Sequence, residues 1–351
     1  MTDLKASSGR QTHGLVVAWA PHSPRGELLA EAFDLDLHTI HAVGRRRRHA
    51  LLKYPIQAWR TWRLLTRERP PLVIVQNPPI FAPLVVYLYA RLYGARFVID
   101  AHTGALVLPL WRWSLPLHGF LSRRAVTTLV TNEHLKRMVE GWGAPVTVVP
   151  NIPTDYPQGN PYPLTGRFSI AVINSFSLDE PLEAIFQAIR RLPEVDFYIT
   201  GDLARASRWQ LASAPPNAHL TGFLPDEDYF GLLRTVQAVM VLTTYDHTMQ
   251  RGACEALSLG QPVITSDWSV LRDYFTRGTL FVDNSPEAIE AAVRRMMAEH
   301  PRLRQEMQAL RAQRRAEWAA QKERLWHLFY GGPAPVEGQP SREQPVELQI
   351  Q

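Results

Sequence analysis

The chain has 351 residues, 46% of them apolar, one cysteine and a formal net charge of +5. That size and apolar content suffice for two domains with buried cores, the lone cysteine excludes a disulfide within the chain, and no apolar run is long enough to span a bilayer. The longest, residues 78–90, carries prolines and stops at Arg91, and the opening MTDLKASSGR lacks the apolar centre of a signal peptide, so the expected setting is the cytoplasm.

The positive charge is local. Nine basic residues lie between Arg45 and Arg69 against a single acid, Glu68, which leaves the rest of the chain slightly acidic. Tyr54, Trp59 and Trp62 are interleaved with them. A solvated helix face is the plain explanation of such a run. An anionic membrane surface is the sharper one, because interfacial aromatics accompany the cations. No nucleic-acid recognition motif accompanies the patch, and no nucleic-acid partner is expected.

Apolar, β-branched runs alternate with helical patterns through the first half. Strands are predicted at residues 15–20, 72–76, 96–100, 128–131 and 146–149, each ending in a polar loop: PHSPRGE, NPPIF, AHTGAL, NEH and PNIP. Helical patterns at 82–93 and 133–142 separate them. Residues 156–167, YPQGNPYPLTGR, are rich in Pro and Gly and read as a linker. The alternation then restarts, with strands at 168–174, 195–200, 218–221, 239–243 and 280–282 and helices at 181–191, 226–236 and 252–259. Gly260 closes the last of these, with Pro262 just beyond. Another helix starts at Ser285 and Pro286.

Such alternation specifies doubly wound parallel sheets. The expected fold is therefore α/β, with Rossmann-like domains at 13–155 and 168–300 facing across a cleft. The charged segment 301–330 reads as C-terminal helices along the domains, with Leu303, Met307, Leu310, Trp318, Leu325 and Trp326 buried. Residues 331–351 have the composition of a disordered tail.

One stretch carries most of the chemistry: VMVLTTYDHTMQRGACEALSLGQPVITSD, residues 239–267. It runs strand, polar loop, helix and strand, and a parallel sheet presents such loops to ligands. Glu255, early in the helix, has two oxygens able to accept from adjacent sugar hydroxyls, or it merely complements the helix dipole. Cys254 beside it reads as a small buried hydrophobe.

These two halves, the linker and the C-terminal helices resemble a glycosyltransferase of the GT-B fold, and Glu255 in GACEALSLGQPVITSD matches the second carboxylate of the E-x7-E motif of the family-four group. Two runs, VQNPPIFAPLVVYLYARLYGARFVIDAHTGA and TGFLPDEDYFGLL, are similar to segments of the β-mannosyltransferases that add the first mannose to dolichol-linked chitobiose. In place of the first motif glutamate this chain has His247, which donates where a carboxylate cannot.

The resemblance implies a hexose moved from a GDP- or UDP-linked donor to a lipid-linked or polysaccharide acceptor, with no cofactor and no metal. Donor contacts fall on His247, Thr248 and Met249, on Arg251, the N–H groups near Gly252 and Glu255, and on Asn174 and Ser175. Gly201, Asp202, Gly222, Phe223 and Leu224 would surround the base. Relatives carry an Arg and a Lys after the first strand of this domain; here the run is NSFSLDEPLEA, which shifts the phosphate to backbone groups and Arg251.

Asp100 and His102, matching the D-x-H strand end, are the catalytic candidates, with the choice of base open and, as in retaining relatives, a contact to the donor phosphate the alternative for His102. Asp34 and Asp36 form a D-x-D, but DLDLHTI alternates like a strand and reads as structural. Residues 106–124, mixing Trp111 and Trp113 with Arg112, Arg123 and Arg124, suit a membrane interface on the inner face of the plasma membrane. A nucleotide-sugar epimerase of the same fold and a non-catalytic nucleotide-sugar binder are the rival readings.

Overall fold

The computed structural model of the chain describes residues 13–42 and 50–331. Arg45 to Arg48 and nearly all of the expected tail, residues 332–351, lie outside the described residues.

The N-terminal domain contains strands β1 (Leu15–Ala18), β2 (Asp36–Thr39), β3 (Leu72–Asn77), β4 (Arg96–Ala101), β5 (Thr128–Val130) and β6 (Val146–Val148). Its helices are α1 (Pro24–Phe33), α2 (Ala50–Glu68), α3 (Phe81–Tyr93), α4 (Thr103–Val107), α5 (Leu115–Ser122) and α6 (Glu133–Glu140). The C-terminal domain contains β7 (Phe168–Ile173), β8 (Val195–Thr200), β9 (Ala218–Gly222), β10 (Ala238–Val241), β11 (Val263–Ser266) and β12 (Thr279–Val282). With them go α7 (Leu182–Arg190), α8 (Arg208–Ala212), α9 (Asp226–Thr235), α10 (Arg251–Leu259), α11 (Ser269–Tyr274) and α12 (Pro286–Tyr330).

Every strand pairing is parallel. The sheet orders are β2-β1-β3-β4-β5-β6 and β12-β11-β10-β7-β8-β9. Both are doubly wound, but only the second has the dinucleotide-fold order; the first has the flavodoxin-like one. Central strands are covered on both faces, which is why β1 and β3 read as unbroken apolar runs and are buried throughout. In the N-terminal domain Leu65, Val86, Tyr89 and Leu121 cover one face. Leu29 and Phe33 cover the other, joined there by Leu325, Trp326 and Phe329 from the far end of the chain.

That last contact corrects the expected boundary at 300/301. Residues 286–330 form one helix of 45 residues that runs through Pro301. An internal proline costs a helix about 3 kcal/mol. Met296 and Leu303, on either side of it, are buried in one core and hold both turns against the C-terminal sheet. The helix then crosses to the other domain, where Phe329 meets Phe33 at 4.9 Å. Trp318, expected to be buried, is only partly covered.

The linker is also more fixed than its composition suggests. Tyr156 stacks on Phe230 at 4.3 Å, the Asn160 N–H donates to the Glu227 carbonyl at 3.0 Å, and Arg234 donates to the carbonyls of Tyr156 and Pro157. Gly159 (φ +73°) lies so close to α9 that a Cβ there would come within 2.3 Å of the Gly231 nitrogen.

His118 on α5 is fully buried against Trp142, with Asn77 nearby and no carboxylate beside it. Burial pulls its pKa from 6.5 down to about 4. The unfolded chain binds a proton there below about pH 6.5 and the folded chain does not, so this contribution is complete above that pH and is lost as pH falls toward 4. The loss approaches about 3 kcal/mol. Melting curves from neutral to acid pH are expected to fall in this window, and more steeply than those of His118→Gln; parallel curves would remove His118 from the account.

Candidate active site

Parallel sheets bind ligands where the strand order reverses, beyond the carboxyl ends of the strands. Here those points lie between β1 and β3 in one domain and between β7 and β10 in the other. Loops leaving β1, β3, β4 and β10 border a common cleft of about 480 Å³.

On the N-terminal side the structure separates the candidate pair. Asp100 is completely buried. Its oxygens accept from Arg25 Nε at 2.9 and 3.2 Å and from Gln76 Nε2 at 3.1 Å. Arg25 also donates from Nη2 to the Val149 carbonyl at 3.1 Å. Ser23 caps α1 and donates to the Gln76 side-chain oxygen, so α1, β3 and β4 are tied together beneath the cleft. A buried ion pair is tolerable only when its remaining polar atoms are satisfied like this.

His102 is different. It opens α4 with its side chain 43% exposed at the cleft wall, while Nε2 is turned inward and lies 3.6 Å from Asp100 Oδ2, just beyond hydrogen-bond reach. Asp100 is therefore an inner support, and His102 is the member of the pair that a ligand in the cleft can touch.

On the C-terminal side Glu255 is 4% exposed, and both its oxygens are engaged. Oε2 accepts from the Tyr229 hydroxyl at 2.6 Å, and Oε1 from Arg251 Nε at 2.7 Å. Burial, then the neighbouring Glu255 charge, push the Tyr229 phenol well above its ordinary range. The side chain of Arg251 is 62% exposed and borders the same cleft as Arg25. Gly252 lets α10 lie close on β7, since a Cβ there would meet the Ile173 side chain at 2.6 Å. Cys254 is buried, and burial raises its thiol pKa, as suits a core residue.

The loop after β7, which carries no Arg or Lys, is organised around an acid. The Ser175 N–H and Oγ–H and the Ser177 N–H all donate to Glu180, at 2.8–3.0 Å. This small nest of donors, the kind that takes an anion, is already filled by the chain's own carboxylate. Asn174 accepts from the Phe176 N–H, and its carbonyl sits so close to Gly201 that only glycine fits (φ +131°). Asp202 caps the short turn at Leu203–Arg205. The Gly201 N–H donates to the Gly222 carbonyl, Phe223 is 80% exposed, and Leu224 is partly buried.

His247 takes part in a contact between the domains. Its backbone is left-handed (φ +59°), and its ring stacks on His134 of the opposite domain at 4.2 Å and 7°. Its carbonyl accepts from Asn132 Nδ2 at 3.3 Å, and its Nε2 lies 3.4 Å from Asp246. The residue thus bridges the domains. Burial and then the neighbouring His247 lower the pKa of His134. Thr248 bonds within its own loop, and Met249 reaches the cleft.

Of the predicted residues, His102, Met249 and Arg251 line the 480 Å³ cleft. Glu255 lies behind Arg251, and the remaining donor candidates occupy adjacent strand ends. Arg25, Gln76, Tyr229, Glu180 and His134 were not singled out from the sequence. Arg25, Gln76 and His134 stood in strand-end segments already quoted, and Tyr229 stood in EDYFGLL, but nothing in one sequence pairs them with their partners. Asp34 and Asp36 are exposed, Asp34 in the left-handed cap of α1 and Asp36 in β2. No group of three His, Cys, Asp or Glu suited to a metal occurs among the described residues.

Two doubly wound domains meeting at their strand ends define the GT-B architecture. A family profile described as Glycosyltransferase Family 4 matches residues 8–152, and one described as Glycosyl transferase-like matches residues 180–323. No curated protein matches the chain. Sucrose-phosphate synthase from Thermosynechococcus elongatus superposes with a TM-score of 0.68 at 13% identity, over 90% of this chain and 99% of that one. Anabaena HepE in complex with UDP and glucose gives 0.64 at 13% identity, over 88% and 90%. A putative UDP-N-acetylglucosamine 2-epimerase from Listeria monocytogenes gives 0.55 at 12%, over 83% and 90%. At such identities these structures speak for the fold, and the profiles speak for the family on both sides of the linker. The chain belongs to the glycosyltransferases of the GT-B fold.

Proposed function

We propose that the protein moves a hexose from a nucleotide diphosphate sugar to a lipid-linked or polysaccharide acceptor in glycan biosynthesis, in the cytoplasm and peripherally on the inner face of the plasma membrane. The observation that carries this reading is a pair of guanidinium groups, Arg25 and Arg251, one from each domain, bordering one cleft beside His102. A diphosphate leaving group develops charge as the glycosidic bond breaks, and cations aimed at it lower the barrier. With the Ser175 nest filled by Glu180, that task falls to the outer N–H groups of these two arginines, whose Nε atoms are held by Asp100 and Glu255. A UDP-linked donor is preferred over a GDP-linked one, since HepE is described with UDP.

In the reaction the acceptor oxygen bonds to the anomeric carbon while the bond from that carbon to the diphosphate oxygen breaks. The acceptor proton passes to the His102 imidazole, and the negative charge of Asp100 stabilises the resulting cation. Glu255 receives the ribose diol, with Tyr229 holding its carboxylate in place. His247, Thr248, Met249 and the amides at Gly252 contact the sugar and phosphate with Asn174, Ser175 being held by Glu180 at the edge of that loop, while Gly201, Asp202, Gly222, Phe223 and Leu224 flank the base. The reaction takes no cofactor and no metal. The QNPP and D-x-H runs make mannose the first donor sugar to try.

The test is incubation with radiolabelled UDP- and GDP-sugars and either a membrane lipid extract or soluble glycans. Label entering lipid or glycan is expected. Isomerised free donor would instead assign an epimerase, and binding without turnover a nucleotide-sugar binder.

A further inference from the structure

Sixteen large hydrophobic side chains are exposed among the described residues, and ten of them fall between Leu52 and Trp113 in the N-terminal domain. Scattered singly they would need no explanation. They are instead arranged by element. The outward stripe of α2 reads Leu52, Ile56 and Trp59 and continues as Arg60, Arg63 and Arg67, at helical spacing. Leu52 is 71% exposed, so the usual pattern is inverted: the helix shows solvent an apolar stripe as well as packing one inward. Neighbouring α3 does the same with Leu88 and Leu92. Beside its start, Leu110 and Trp113 project from the turn at Pro109–Ser114.

These pieces adjoin one another and the cleft. Trp113 and Tyr54 both lie against Phe81, at 6.0 and 5.0 Å, and Tyr54 stacks on Trp19, which lines the cleft. The apolar end of α2 is therefore the end nearest the site, and its basic end points away.

Charge identifies what covers this face. Residues 50–124 contain ten Lys or Arg and two acids. Asp100 is buried under Arg25, and Glu68 is bonded to Arg67. Arg63 lies over the Trp59 ring at 5.5 Å and Arg69 over Tyr93 at 4.2 Å. Protein interfaces deplete charge around their apolar centres. Single-sign charge interleaved with aromatics and bordering an apolar stripe instead suits phosphates over an acyl boundary.

We propose that the outer faces of α2 and α3, with the turn at Pro109–Ser114, insert into the interface of an anionic phospholipid bilayer, so that the cleft opens at the membrane surface. This deepens the lipid-linked acceptor reading by naming the surface that meets the membrane and its mode of contact, apolar insertion guided by arginines.

The test uses the full chain with vesicles of phosphatidylcholine, alone or mixed with phosphatidylglycerol. Binding to the mixed vesicles with a blue shift in tryptophan fluorescence is expected, partly surviving high salt because insertion is not screened. Leu52→Glu with Trp59→Glu should weaken it about tenfold or more, with melting temperature and UDP affinity unchanged. Arg60→Ser with Arg63→Ser should leave a weaker and less salt-sensitive remainder. A wild-type chain that stays unbound, or Glu variants that still bind, would overturn the proposal. So would full release by inorganic pyrophosphate, which would assign the cations to a soluble phosphate ligand, or self-association abolished by Trp59→Glu without vesicle binding. Vesicle binding lost with UDP binding intact sinks the docking face alone; vesicle binding intact without UDP binding sinks the transferase reading alone.

Discussion

His102→Ala is expected to lower kcat by about a hundred- to ten-thousandfold, the range a positioned general base supplies, with UDP affinity near wild type. The expectation rests on the division of labour at the end of β4. Asp100 has no exposed oxygen and is committed to Arg25 and Gln76, whereas the His102 ring stands half-exposed at the cleft wall. Asp100→Asn should behave differently. It strips the part-buried Arg25 guanidinium of its buried counter-ion, a change that costs at most the roughly 3–5 kcal/mol of breaking a fully buried pair, so stability and turnover fall together. Coupling it with Arg25→Gln should recover stability without activity. Because the acceptor oxygen, giving its proton to His102, attacks the anomeric carbon opposite the leaving diphosphate, the product anomer should be inverted relative to the donor. Retention by NMR, or a His102→Ala enzyme with undiminished kcat, removes His102 from proton transfer.

The second large effect is at Glu255. In Glu255→Ala the Tyr229 hydroxyl and Arg251 both lose their acceptor. A buried donor left unsatisfied costs about 1–3 kcal/mol, so this variant should melt earlier as well as bind UDP more weakly, by about tenfold to a hundredfold if two charge-assisted bonds to the ribose are lost. Tyr229→Phe separates the two effects. It removes one bond to the carboxylate but leaves the carboxylate in place, so it should lose some stability and keep most of its UDP affinity. Calorimetry showing wild-type UDP affinity in Glu255→Ala would count against the ribose assignment, whatever the melting temperature does.

Much of the framework was legible without coordinates. Buried parallel strands are near-continuous apolar runs, so β1, β3, β4 and β7 stand out, and the polar loops that follow them mark the cleft. Local rules also place Gly260 (φ +75°) at the end of α10. Where expectation failed, the deciding contacts were remote. The division at 300/301 failed because the anchors that carry the helix through Pro301, Met296 and Leu303, act through the C-terminal sheet. The linker looked loose because its partner, α9, lies about 70 residues on.

The sequence by itself determined the two α/β domains and the strand ends that border the cleft, because these depend on local periodicity and turn chemistry, while resemblance to a known family is what singled out Glu255, Asp100 and His102. Only the tertiary structure decided what those side chains touch. It paired Arg25 with Asp100 across 75 residues, Tyr229 with Glu255 across 26, and stacked His247 on His134 from the other domain. Whether a carboxylate is free or spent on a neighbour depends on which groups the packing brings within about 3 Å of it, and that distance is set by the approach of elements remote in the chain.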